Sequence, residues 1–174
     1  MTVRRILKIG DPALRRVATA IEAFDTPELH ELVIDLLETM HHALGAGLAA
    51  TQIGVPKRVI VFGVESTPRY PEATPIPQTV LLNPQFVVIG DEMVSHWEGC
   101  LSVPGMRGYV PRHAKIRYHG FDLRGRRITR EAQGFHAGVF QHEYDHLDGW
   151  LFPDRILDRR KFGFEEELKS AGVL

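Results

Sequence analysis

At 174 residues the chain is the size of one ordinary domain and long enough to bury a core. Its 44% apolar and 25% charged residues exclude a disordered chain, and 21 basic against 22 acidic residues leave a formal charge of −1, too little to draw it onto DNA or anionic lipid. A single cysteine cannot form an internal disulfide, and no apolar run has signal-peptide or bilayer length, so a cytoplasmic protein away from membranes is expected.

In chain order, Asp11-Pro12 reads as a helix start, with Asp as N-cap and Pro at the first helical position. Thr26-Pro27 opens a longer helix. Its Leu29, Leu32, Val33, Leu36, Leu37 and Met40 fall on one face, and Gly45 and Gly47 should stop it near Leu44. Beyond it the pattern changes to short apolar runs bounded by turn residues, with strands expected at 59–64, 79–82 and 86–89. The stretch 66–78 holds Pro68, Pro71, Pro75 and Pro77 and reads as a surface loop. Runs at 116–122 and 126–129 flank Leu123-Arg124-Gly125 and suggest a hairpin. The helical period resumes near Gln133 and runs to about Asp148, ending at Gly149, and a short last helix is expected over 164–170. Strands bracketed by helices without regular alternation predict a single α+β domain over residues 1–174.

The strongest chemical signal lies on the penultimate helix: His142-Glu143-Tyr144-Asp145-His146. Residues four apart on a helix point the same way, so both imidazoles can grip one ion while Glu143 serves as general base. A catalytic metal usually has three protein ligands and one open position, so a third ligand is needed. In the longer H-E-x-x-H pattern that adds a third histidine, the position falls on Phe152, and that reading fails. A glutamate about 20 residues on is another option. Glu165, Glu166 and Glu167 sit near there, although they also read as the solvated face of a terminal helix.

The remaining candidate is Cys100, in Trp97-Glu98-Gly99-Cys100-Leu101-Ser102. A lone cysteine is more often an inert buried side chain, and beside a histidine it can be a nucleophile. Here Gly99 permits close backbone approach, and a thiolate beside two imidazoles completes a tetrahedral site with one vacancy, so the ligand role is favoured. Upstream, residues 45–52 read Gly-Ala-Gly-Leu-Ala-Ala-Thr-Gln. Taken alone they are a tight turn, without the lysine of a phosphate-binding loop, but Gln52 turned inward would offer an amide N–H to an oxyanion.

The segments 45–52, 98–102 and 142–146, in that order, resemble the three signature motifs of the peptide deformylases: G-hydrophobic-G-hydrophobic-A-A-x-Q, E-G-C-hydrophobic-S and an H-E-x-x-H form ending in D-H. The resemblance extends over Gly54-Val55-Pro56, Val110-Pro111-Arg112 and 147–152. It implies hydrolysis of the N-formyl group from the initiator methionine of nascent chains, with release of formate. It implies Fe(II) as the native metal, with zinc, nickel or cobalt able to substitute. It assigns the metal to Cys100, His142 and His146, the proton transfers to Glu143, and the oxyanion to Gln52 and the backbone N–H of Leu101. The expected fold then becomes short antiparallel β-sheets packed around the central helix that carries H-E-x-x-H.

Phe135, Gly138 and Val139 share the helix face of His142 and would line an apolar methionine pocket beside the metal, with ordinary core as the alternative for Phe135 and Val139. Backbone at Ala46 and Gly47 would pair with the peptide as an added strand, alongside Gly99. Arg107 falls where the family has an arginine near the peptide, and Glu98 with Arg112 reads as an ion pair orienting the cysteine loop. Ala46, Gly105 and Gly138 are departures from the best-known bacterial pattern and suggest a roomier cleft. The basic run Arg155, Arg159, Arg160, Lys161 is either a solvated face or a surface for transient ribosome contact.

Overall fold

The computed structural model describes residues 3–65 and 75–174. A 3-10 turn at Pro12–Arg15 is capped by Asp11, whose carboxylate accepts from Ala13 N–H. Helix α1 spans Pro27–His42, with Thr26 Oγ1 accepting from the Leu29 N–H and Pro27 at its first position, where a missing N–H costs nothing. It ends two residues before the expected stop: Ala43 caps it, and Leu44 takes φ +52° before the chain enters β1, Gly47–Ala49.

Strands β2 (Val59–Val64), β3 (Ile76–Val88), β6 (Lys115–Phe121) and β7 (Arg127–Gln133) join β1 in a five-stranded antiparallel sheet of order β1-β2-β3-β6-β7. β4 (Met93–Cys100), β5 (Val103–His113) and β8 (Phe162–Phe164) form a second, three-stranded antiparallel sheet, β4-β5-β8. Helix α2 (Gly134–Leu147) contacts strands of both sheets, and α3 (Glu165–Ser170) closes the chain against β5 and β8.

The larger sheet is covered on both faces, which explains why β2 is a continuous apolar run rather than an alternating one. Ile60 and Phe62 point into the cluster shared with Ala137, Phe140 and Leu147 of α2. Val59 and Val61 point into the cluster shared with Leu29, Val33, Leu36 and Met40 of α1.

Several expectations are corrected here. The runs at 79–82 and 86–89 are one strand, β3, interrupted in register between Leu82 and Gln85 where Asn83 adopts φ +48°. The expected proline loop begins outside the described residues over 66–74, but its end, 76–78, is already strand. Pro77 is tolerated because the pairing of β3 with β6 begins only at Leu82, so that end of β3 pairs on one side with β2. Of the hairpin strands, β6 matches the expected run shifted by one residue and β7 extends beyond it to Gln133, while β4, β5 and β8 have no counterpart among the expected strands.

Candidate functional site

Two structural elements supply the ligating set, and a third closes the cleft. Helix α2 carries His142, Glu143 and His146, all three buried. The β4–β5 hairpin turns at Cys100, which pairs with Val103 across a two-residue connection, so Leu101 and Ser102 form the tip. The third element is 45–52: β1 followed by the 3-10 turn Ala50–Ile53, which buries Gln52. The Thr51 hydroxyl donates to the His146 carbonyl at 3.2 Å and ties that turn to the end of α2.

Cys100, His142 and His146 each present one donor atom, and the three atoms lie within 4.8 Å of one another. The Cys100 Sγ to His146 Nε2 separation is 3.3 Å, close to the roughly 3.5 Å edge that ordinary metal–sulfur and metal–nitrogen lengths impose on a tetrahedral site. The His142 Nδ1 is engaged by Glu98 Oε2 at 2.8 Å, which leaves its Nε2 for the cluster. A thiolate with two imidazoles, all buried and converging, fits a divalent metal ion with one coordination position left for water or substrate.

The electrostatics agree with that fit. Burial depresses both imidazoles. At His146, the nearby His142 and Arg112 add to the depression and hold it well below the usual histidine range. At His142 the burial effect is outweighed by Cys100 and Glu98, which hold a proton there. A divalent cation held by the same three residues would take the place of that positive charge. Among the described residues, the buried side-chain nitrogen and oxygen atoms without a hydrogen-bond partner are Glu143 Oε2 and His146 Nδ1. Burial lifts the Glu143 carboxyl to about 7, and a divalent ion beside it would pull that value down again.

Behind His142 stands a chain of charges. Arg112 holds Glu98 with two bonds of 2.7 and 2.9 Å and Asp145 with a third of 2.6 Å, while Arg155 reaches Asp145 from the surface at 2.7 Å. Burial alone would raise Glu98, but Arg112 and His142 hold it at about 2. The expected Glu98–Arg112 pair is thus present, and it does more than support the cysteine loop: it fixes the ring of a candidate ligand. Asp145 had no role from the sequence, although its place between the two histidines put it on the same face as His142.

Gln52 is oriented without ambiguity. Its Oε1 accepts from the Ala49 N–H at 2.8 Å, so Nε2 points into the site, 3.0 Å from Ser102 Oγ and 3.5 Å from Cys100 Sγ. One cleft is lined by Gly45, Ala46, Gly47 and Gln52 on one side, Leu101 and the β4 residues from His96 to Cys100 on another, and Phe135, Gly138, Val139, His142 and Glu143 on the third. His96 and Trp97 line it without having been singled out in the sequence, because nothing in β4 alternates clearly enough to show which residues face inward.

Two glycines owe their identity to neighbours. A Cβ on Gly47 would fall 2.6 Å from both Cγ and Cδ of Glu143, and one on Gly99 would fall 2.8 Å from the Arg107 Cζ. Arg107 packs on Gly99, which lines this cleft, without itself being one of its lining residues. It donates to Glu165 at 2.9 Å and lines an adjoining recess with Pro104, Gly105 and Met106. Glu165 also pairs with Lys169, so the distal-glutamate alternative for the third ligand is not supported.

Comparison with known proteins accords with this arrangement. The polypeptide deformylase family model matches residues 3–162. Peptide deformylase 1 of Bordetella pertussis is 57% identical over 166 residues, covering 95% of this chain and 94% of that protein. Peptide deformylase 2 of Ralstonia nicotianae is 53% identical with the same coverage. Among solved structures, the Met-Ala-Ser-bound class I type b peptide deformylase of Acinetobacter baumannii superposes with a TM-score of 0.86 at 36% identity, covering 89% of this chain and 99% of that one. The Thermotoga maritima peptide deformylase gives 0.80 at 35% identity, covering 91% and 100%.

Proposed function

The chain belongs to the polypeptide deformylase family, and from that premise we propose the residue roles by which it removes the N-formyl group from the initiator methionine of nascent polypeptides. The observation that carries the assignment is the buried, unpartnered Glu143 Oε2 in a cleft shared with the converging Cys100, His142 and His146. These three residues hold the metal ion. When bound, the ion supplies Lewis acidity, lowering the pKa of a coordinated water to about 7 and polarising the formyl oxygen.

Glu143 accepts the proton of the attacking water at Oε2 and delivers it to the amine nitrogen as the C–N bond breaks, giving formate and a free N-terminus. Gln52 Nε2 and the backbone N–H of Leu101 donate to the formyl oxygen as it gains charge. Ala49 and Ser102 hold the Gln52 amide in place beforehand, so little reorganisation is needed at the moment of reaction. Backbone at Ala46, Gly47 and Gly99 aligns the peptide, and Phe135, Gly138 and Val139 receive the methionine side chain. A formyl group is small, so a site closed by Gly47, Leu101 and Glu143 excludes larger acyl groups.

Fe(II) is the proposed native metal. Zinc binds such donors more tightly and would displace it in a test tube, with nickel and cobalt as further substitutes. Residues 1–174 act as one catalytic domain in the cytoplasm. A transient ribosome contact would use the basic run near 155–161, where Arg155 is bound to Asp145, Arg160 to Asp158, and Lys161 lies over the Tyr109 ring. No helix among the described residues is long and apolar enough to cross a membrane.

The test is formate release from formyl-Met-Ala-Ser under anaerobic conditions, with bound metal quantified. Glu143→Ala should lose about a hundred- to ten-thousandfold in rate while keeping its metal. Cys100→Ser should lose both metal and activity. A metal-loaded wild type that releases no formate would overturn the assignment.

A further inference from the structure

Beside the polar groups of the candidate metal site, the cleft is lined by Phe135, Val139 and the imidazole of His96. His96 on β4 faces Gly138 on α2, and both line the cleft with Phe135 and Val139. A Cβ on Gly138 would lie 3.6 Å from His96 Cδ2 and 4.0 Å from Nε2, with nothing else within 4 Å. The Cδ2–Nε2 edge of the imidazole therefore lies at contact distance from the place of a side chain at 138, and glycine leaves that edge uncovered on this side. Glycine inside a helix is less favourable than alanine. Gly138 is not among the positive-φ glycines, so the backbone does not require it there. What the glycine leaves is an imidazole wall in place of an aliphatic one.

His96 is half-buried, and its ring makes no hydrogen bond or ion pair among the described residues. An imidazole carries at least one N–H donor in either tautomer. A thioether sulfur is a weak acceptor and gains little from that donor. Oxidation of methionine turns the same position into a polar sulfoxide, whose burial in a wholly apolar pocket would leave its oxygen unpaired. Here the oxygen would meet a donor.

We propose that the cleft also accepts N-formyl peptides whose first residue is methionine sulfoxide, with His96 donating to the sulfoxide oxygen. This rests on the deformylase assignment, and it makes His96 a specificity-determining residue rather than a catalytic one. Deformylation of nascent chains would then continue when their first residue has been oxidised.

The experiment compares kcat/KM for formyl-Met-Ala-Ser and its sulfoxide counterpart in the metal-loaded wild type, His96→Leu and His96→Gln. Within each protein the sulfoxide-to-thioether ratio is the readout, so a general loss of activity cancels. His96→Leu should lower that ratio about tenfold, the usual cost of stranding one buried polar group, and His96→Gln, which keeps an N–H donor, should restore most of it. Equal ratios in wild type and His96→Leu would overturn the proposal, as would no measurable turnover of the sulfoxide peptide beside fast turnover of formyl-Met-Ala-Ser. Release of formate from neither peptide would remove the deformylase assignment and this proposal together.

Discussion

Helix α2 turns unlike faces to the two sheets. Toward the five-stranded sheet it presents Ala137, Phe140 and Leu147. Phe140 stacks on Tyr118 at 4.5 Å between ring centroids and meets Phe62 and Phe86 edge-on. Toward the three-stranded sheet it presents His142, Asp145 and His146, met by Glu98, Cys100 and Arg112. The first face gains by removing apolar surface from water; the second holds charges whose desolvation offsets most of their attraction. The comparison teaches that one face keeps the helix in place while the other decides where its ligating atoms point. Stability and chemistry are separated by the width of a single helix.

That separation breaks most sharply at Phe140. Phe140→Ala should lose about 3–5 kcal/mol, measured by urea unfolding. Formate release per folded, metal-loaded molecule should stay within a few-fold at low temperature. A folded variant with abolished turnover would show that the two faces are not independent.

Glu98 sharpens the comparison from the other side. Its carboxyl is held at about 2 against an ordinary value of 4.5, so it contributes stability that is present above about pH 4.5 and lost as pH falls toward 2. A shift of that size corresponds to about 3 kcal/mol. Glu98→Gln should flatten the acid limb of the stability curve of metal-free protein over that window, and an unchanged limb would mean the ionic chain contributes no charge pairing.

The smallest effect belongs to the outer end of the chain. Arg155 is 41% exposed, and Arg155→Ala should cost less than about 1 kcal/mol in stability. Its consequence is expected in the ion instead, as a roughly tenfold weaker metal affinity measured by competition with a chelator. An unmoved affinity would confine the orienting role to Glu98 and Arg112.

How much of this was legible in the sequence follows the same division. α1 could be read because Thr26 caps it and its apolar residues keep one period. β5 could not: Pro104, Gly105, Gly108 and Pro111 lie within it, and its order comes from pairing with β4 on one side and β8 on the other, which no local pattern encodes. β3 read as two strands because Asn83-Pro84 interrupts the apolar run, although the chain continues through a register slip. At the site, His142, Glu143 and His146 were visible because four-residue spacing on a helix is a local geometric fact. His96 and Asp145 were not assigned, because their roles depend on what faces them from another element. Arg107 was read from its position as lying near the peptide, and its guanidinium is held by Glu165 over Gly99, a residue that lines the cleft.

The packing of Gly47 against Glu143 has a pharmacological consequence. A side chain at position 47 would have to displace the Glu143 carboxylate, the group proposed to move the proton. An inhibitor that places its contacts on the Gly47 backbone would therefore rest on a surface that substitution at that residue could reshape only by moving the proposed general base as well.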